Sequence, residues 1–257
     1  MIRCIFLLLV TGVTSLGASA QVAIDRVIIH SGVHIGGVTP ASIPQEIREV
    51  ESYHPVNPIS VGVEVPFYKI NNKLTISSGL NLVNKGMKTR AFAENFKAMI
   101  EFEDQPIPSF IGYFTGSVGS SFNNLYLELP VSAHYELSPK WSLLGGFSVA
   151  RAVYRSFEGS VHNAYVRLGD PTTPKIEISS ATFDVSKLVN KTDIGLHVGG
   201  VYALSPVWQI RAVFNYGVNN VIDAPTDHLP IKLHNTFFTI AAGYVLPFKK
   251  TIMRTEK

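Results

Sequence analysis

Residues 194–204 read Ile-Gly-Leu-His-Val-Gly-Gly-Val-Tyr-Ala-Leu. Large apolar side chains fall on Ile194, Leu196, Val198, Tyr202 and Leu204, and the positions between are Gly195, His197, Gly199 and Ala203. A period of two sends successive side chains to opposite sides of a strand. The next stretch, 207–219, alternates in the same way. Trp208, Ile210, Ala212, Phe214, Tyr216 and Val218 share one face, and Gln209, Arg211, Asn215, Gly217 and Asn219 share the other. The two runs are joined by a Leu-Ser-Pro-Val turn inside Tyr-Ala-Leu-Ser-Pro-Val-Trp (202–208), which nearly repeats Tyr-Glu-Leu-Ser-Pro-Lys-Trp (135–141). The recurrence is either a duplicated binding motif or two places that meet the same physical boundary.

Six further segments alternate: 30–36, 59–67, 74–85, 125–136, 141–150 and 238–248. Together they predict eight strands of roughly ten residues, the length that crosses a bilayer when tilted. Short turns at 69–73, 137–140 and 204–207 alternate with long polar stretches at 38–58, 87–122, 152–192 and 221–233. Short turns on one rim and long loops on the other predict an eight-stranded antiparallel transmembrane β-barrel, with periplasmic turns and extracellular loops. In both near-repeats Tyr and Trp flank a Pro turn on the apolar face, where amphipathic rings suit the membrane–water interface. The expected girdle is Tyr135, Trp141, Tyr202, Trp208, Tyr244 and Phe248. A soluble barrel with an apolar interior is the rival. The parity opposes it, because the face away from the girdle is Gly, Ser, Asn and charge.

Composition agrees with export to the outer membrane of a Gram-negative bacterium. Residues 1–20 read as a signal peptide, with Arg3, an apolar stretch from Ile5 to Val10, and Ala18-Ser19-Ala20 before Gln21. The barrel is expected over 21–248, with a polar tail at 249–257. The one cysteine, Cys4, lies in the signal, which excludes disulfides, thiolate metal sites and cysteine nucleophiles from the mature chain. The formal charge of +3 falls to +2 without Arg3, too weak a balance to argue for nucleic acid.

Three stretches carry a family likeness: Gly79-Leu80-Asn81-Leu82 running into Asn84-Lys85-Gly86, Tyr126-Leu127-Glu128-Leu129-Pro130, and the closing Gly-aromatic strand. On these the chain resembles the PorT-like outer-membrane β-barrel family, small porin-family proteins. The resemblance implies the same barrel fold and, for a close relative, an accessory role in protein secretion. The ending Gly243-Tyr244-Val245-Leu246-Pro247-Phe248 also looks like the signal read by the barrel-insertion machinery. It departs from that signal at Ala241, where a polar residue is usual, and in the nine residues that follow Phe248.

The inward face carries the candidate chemistry. Glu64, Lys85, Glu128 and Arg211 would form a polar network inside the lumen, with His134 and His197 on the same face. An eight-stranded barrel has little more room than its own side chains fill. Buried charges there must pair, so the network is read as a structural plug rather than an ion path. His30 and His34 lie about 13 Å apart on a strand, too far for one metal. In the last loop, Asp227-His228 and His234 invite a hydrolase reading, but no nucleophile motif accompanies them. Glu101, Glu103 and Asp104 form an acidic loop tip. The loop aromatics Phe92, Phe96, Phe102, Phe110, Tyr113 and Phe114 suggest either a lid or a docking patch. Residues 175–188, Lys-Ile-Glu-Ile-Ser-Ser-Ala-Thr-Phe-Asp-Val-Ser-Lys-Leu, themselves alternate and could extend the wall. No catalytic, cofactor or metal residues are assigned. The expected protein is non-enzymatic, in contact with outer-membrane lipid and with an extracellular protein partner at its loops. A passive small-solute pore and a lipid-modifying enzyme are the alternatives.

Overall fold

The structure is a computed structural model and describes residues 26–40, 44–100, 110–223 and 232–247. The expected signal peptide, Phe248 and the expected polar tail lie outside them, as do Glu101, Phe102, Glu103, Asp104, Asp227 and His228.

Eleven strands form among the described residues. They are β1 (Arg26–Pro40), β2 (Ile47–Pro55), β3 (Ile59–Lys69), β4 (Leu74–Ile100), β5 (Phe110–Glu136), β6 (Trp141–Tyr154), β7 (Phe157–Leu168), β8 (Lys175–Asp184), β9 (Thr192–Ala203), β10 (Trp208–Gly217) and β11 (Leu233–Pro247). Eight of them close a ring in the order β1-β3-β4-β5-β6-β9-β10-β11, each pair antiparallel.

The register fixes how the ring closes. Cα partners run from Tyr202 through Ile210, Ala242, Ser31, Val61, Leu82, Leu127 and Arg151 to Thr192. The path leaves β9 at Tyr202 and rejoins it at Thr192, so one circuit climbs ten residues (202 − 192). That stagger tilts the strands and leaves an interior that side chains can fill.

The outward face is apolar and exposed, with Trp141, Leu143, Phe147 and Val149 each near half of full exposure. Each such side chain gains about 1.5–3 kcal/mol on leaving water, so the ring calls for lipid around it. Each turn repeats one arrangement. Leu137 N donates to Trp141 O (2.9 Å) and Ser138 Oγ accepts from Trp141 N (3.1 Å). Leu204, Ser205 and Trp208 do the same at 2.9 and 3.0 Å. The two near-repeats therefore encode one turn. They also meet: Trp141 is the register partner of Tyr202, with ring centroids 4.7 Å apart, and Trp208 that of Tyr244, at 5.0 Å.

Above the ring the structure corrects the sequence reading. Within the stretch 87–122, residues 87–100 and 110–122 are strand rather than loop, because β4 and β5 each run 27 residues and pair far beyond the barrel. The stretch 38–58 contains β2, and 152–192 contains β7, β8 and a short 3-10 turn. The wall strands beside the long hairpin break and resume. β3 and β2 follow β4 in turn around Asn57 (φ 45°), and β6 and β7 follow β5 around Arg155-Ser156. The result is a five-stranded antiparallel sheet in the order β2-β4-β5-β7-β8, rooted in the barrel by one hairpin. The loop aromatics Phe92, Phe96, Tyr113 and Phe114 belong to this sheet, so they form no separate lid.

Arg151 raises a local question, since it stands on the lipid-facing parity between Val149 and Val153. The strand neither ends nor shifts there, because the irregularity in the β5–β6 pairing falls just beyond it. Height explains its place. Ten residues above Trp141 (151 − 141), at about 3.3 Å per residue and a tilt near 45°, give roughly 23 Å. The apolar band of such barrels is about 25 Å tall, and a cation there costs ~2–4 kcal/mol at the midplane but ~0–1 near the edge.

Candidate functional site

The lumen is built from the inward parity of the ring. Lys85 on β4 places Nζ 2.6 Å from Asp193 Oδ2 on β9 and 3.4 Å from Glu128 Oε2 on β5. Asn81 Nδ2 donates to the other oxygen of Glu128 at 3.2 Å, and the Lys85 ammonium lies 5.4 Å from the centre of the Tyr126 ring. Nearer the turns, the Arg211 guanidinium on β10 bonds the Glu64 carboxylate on β3. His134 Nε2 lies 2.8 Å from Glu64 Oε1 and 3.0 Å from Ser77 Oγ. All five charged groups are buried. The structure thus groups Lys85 with Glu128 and Arg211 with Glu64, in two clusters rather than one network.

Asp193 was missed by sequence reasoning, although it holds the closest contact to Lys85. Its signal was present: it shares the parity of Gly195 and His197, one step before the run that begins at Ile194. Among these five buried groups three carboxylates face two cations, and His134 stands beside Glu64.

Glycine makes room for these groups. A Cβ at Gly146 would run into the Val131 carbonyl and stand 2.9 Å from His197 Nε2. One at Gly62 would meet the His30 ring at 2.7 Å. A cavity of about 50 Å³ remains, lined among others by His30, His34, Glu64, His197 and Arg211. That is space for a few waters at most. A wider vestibule of about 580 Å³ opens among the turns, where Thr75, His134, Glu136 and Lys140 line it.

The opposite mouth is apolar. Val38, Met87, Phe122, Val189, Val221, Ile222 and Leu233 form one buried cluster, with Phe157 against it. Two segments fold inward to make it. Val189 and Ile222 form a bridge, Asn190 N donates to Val221 O at 2.7 Å and Asp223 N donates to Leu188 O at 2.7 Å. The Arg155 guanidinium ties the same segment through the Val189 carbonyl. This cap, like Asp193, was not foreseen.

The histidines divide without forming a reactive set. His34 Nδ1 lies 2.6 Å from Thr239 Oγ1 and its ring stacks on Phe237. His197 Nε2 lies 2.8 Å from Ser132 Oγ. At His134, both Ser77 and Glu64 address the same ring nitrogen, Nε2, so the trio is not a relay in which a carboxylate orients the far side of the base. His234 Nδ1 bonds Gly217 O at 2.9 Å and its ring stacks on Tyr216. Among the described residues no group of three or more His, Cys, Asp or Glu is placed to hold a metal ion. Of the girdle, Tyr135, Trp141, Tyr202, Trp208 and Tyr244 stand on the outward face at the turn end, and Phe248 lies outside the described residues.

Comparison with solved structures returns small barrels of the outer membrane. Ail, the attachment invasion locus protein of Yersinia pestis, in complex with the heparin analogue sucrose octasulfate, is 13% identical, with 87% of this chain and 100% of that chain covered and a TM-score of 0.38. Neisserial surface protein A is 13% identical, with coverage of 90% and 100% and a TM-score of 0.31. No curated protein matches the sequence. A family profile does match, the outer membrane protein beta-barrel domain, over residues 25–223, which takes in every strand except β11. The chain belongs to the outer membrane protein beta-barrel domain family and is a multi-pass barrel of a Gram-negative outer membrane.

Proposed function

We propose that the protein is a non-enzymatic docking platform that presents the five-stranded sheet to an extracellular polypeptide. The observation that carries this reading is the outer edge of β8. It pairs with β7 alone, has no register break, and nine of its ten residues are exposed. Its centre, Ile-Ser-Ser-Ala-Thr-Phe (178–183), holds no charge and no proline, the devices by which exposed edges are normally guarded. The other edge, β2, is guarded by two register irregularities and by Tyr53, whose hydroxyl donates to Gly36 O at 2.6 Å. An open ladder of backbone groups accepts an extended segment as an added strand.

A solute pore and a lipid-modifying enzyme receive less support. The apolar cap and the two charge clusters stand in series across the lumen, and the Ser–His pairs face inward, away from lipid. Assistance to protein secretion rests on the PorT-like resemblance, and export of secreted proteins in a deletion strain is its measure.

The test of docking is photo-crosslinking in intact cells from position 178. An adduct that vanishes when Ser180→Lys and Thr182→Lys guard the edge, while the barrel stays heat-modifiable, supports strand addition. Adducts that persist in the guarded variant count against it. Single-channel conductance in planar bilayers would turn the reading towards a pore.

A further inference from the structure

The open edge of β8 has two unlike sides, and the register decides which residue stands on each. Ala181 belongs to a row that crosses the sheet through Val161, Val118 and Ala91. Ala91 keeps the parity of Lys85 and Met87, so this row continues the lumen side of the wall above the apolar cap. Phe183 stands on the same side. Its register partner is Gly159, where an added Cβ would strike the Phe183 ring, and that ring meets Phe157 edge-on with centroids 6.0 Å apart. Phe157 in turn stacks on Phe122 of the cap at 3.9 Å. An aromatic run thus leads from the buried cap to the free edge, where Phe183 is still 36% exposed.

The other side is polar. Thr182 lies in a row with Ser160, Gly119 and Arg90, and Ser180 beside His162 and Ser117. Nearer the barrel, Asp184 and Glu158 are register partners, both exposed, and neither forms an ion pair with a described residue. Lys187 acts on Asp184 without reaching ion-pair distance. Like charges in register repel, so this side has a place for a cation.

A strand added at the edge sends its side chains alternately to these two sides. Those beside Ala181 and Phe183 leave water against apolar neighbours. Those beside Ser180 and Thr182 stay among hydroxyls, and the one beside Asp184 meets a carboxylate.

We infer that the β8 edge selects a segment of a second polypeptide in which apolar residues alternate with hydroxyl-bearing ones, with a basic residue beside Asp184. This inference rests on the docking reading and specifies the partner that the edge takes.

The experiment uses the folded, full-length barrel in detergent and two labelled peptides of one composition. Lys-Ile-Thr-Val-Thr-Val-Lys alternates, and Lys-Ile-Val-Val-Thr-Thr-Lys does not. Binding is followed by fluorescence anisotropy and counted as the part lost when Ser180→Lys and Thr182→Lys guard the edge. The alternating peptide is expected to bind about tenfold more tightly than its rearrangement, since several cross-strand pairs add. Replacing its first Lys by Gln should weaken it roughly threefold. Phe183→Ser, with heat-modifiable migration retained, should narrow the preference, and Ala181→Ser does the same service if that variant misfolds. Binding of neither peptide, or binding that the guarded variant keeps, overturns the docking reading and this inference with it. Equal binding of the two peptides, lost in the guarded variant, leaves docking in place and overturns the two-sided selection. An unchanged affinity of the Gln peptide removes the basic residue from the partner. Self-association of the wild type that the guarded variant loses assigns the edge to a second copy and overturns the separate partner.

Discussion

Lys85 and Asp193 meet at 2.6 Å across the lumen, and Glu128 approaches the same ammonium at 3.4 Å from another strand. Removing Lys85 strands two buried carboxylates, whereas Asp193→Asn leaves Lys85 with Glu128. Breaking a buried pair typically costs about 3–5 kcal/mol. Lys85→Met is therefore expected to lower stability by about that amount, and Asp193→Asn by less. Urea unfolding of the barrel in lipid vesicles measures both. An Asp193→Asn loss equal to that of Lys85→Met would mean that Glu128 contributes nothing.

Arg211→Met uncovers Glu64 in the cluster nearer the turns, where His134 is the remaining partner. The expected result is a loss of stability of about 3–5 kcal/mol, seen as a lower unfolding temperature, with no gain in ion conductance. Conductance with unchanged stability would mean that the cluster gates a path rather than filling a plug.

The cap and the lumen charges stand in series, so opening one does not open the barrel. Val189→Ala removes packing from the cap and should cost on the order of 1–3 kcal/mol. Planar-bilayer recordings of this variant should stay silent. Current from Val189→Ala alone would place the whole permeability barrier in the cap.

The girdle pairs can be separated by a double-mutant cycle. Trp141 and Tyr202 touch, so Trp141→Ala and Tyr202→Ala should couple by about 0.5–1.5 kcal/mol. Trp141 with Tyr244, which pairs with Trp208 instead, should give additive losses. Coupling of the second pair would point to a whole-girdle effect on lipid contact.

Space in the lumen is tested at Gly146, where a Cβ meets the Val131 carbonyl and His197. Gly146→Ala should slow or prevent insertion into vesicles. Gly145→Ala, one step along and facing lipid, has only one atom within 4 Å, the His197 carbonyl at 3.7 Å, and should insert normally. Equal insertion of both variants would show that the lumen yields.

Much of the barrel could be read from parity, because lipid and lumen impose opposite chemistry on alternate residues. Ile194 and Leu196 against Gly195 and His197 announce the wall, and the paired Leu-Ser-Pro turns announce its lower rim. Above the lipid that contrast fades. On β4 the outward residues become Lys88 and Arg90 while the other face carries Thr89 and Ala91, so alternation persists in the backbone but loses its apolar mark. The extension of β4 and β5 was hidden for that reason. β8 was half visible, since Ile176 and Ile178 keep an apolar rhythm. The cap residues Val189 and Ile222 were invisible, because apolar pairs as short as Leu188-Val189 and Val221-Ile222 inside polar stretches acquire meaning only when two distant loops meet. Asp193 was lost to a boundary placed one residue late.

The long pairing of β4 and β5 gives the molecule a mechanical character. From Ala93 down to the wall the pairing of β4 and β5 has no register shift, the irregularity between Ala93 and Phe96 lying farther out, so two continuous backbones cross the rim together. Tension runs along the strands and is shared by many hydrogen bonds loaded in shear. The flanking strands β2 and β7 are interrupted at Asn57 and Ser156, so they can peel while the central pair stays anchored. Force on a bound partner would thus be carried to the barrel through one ribbon and borne by the membrane.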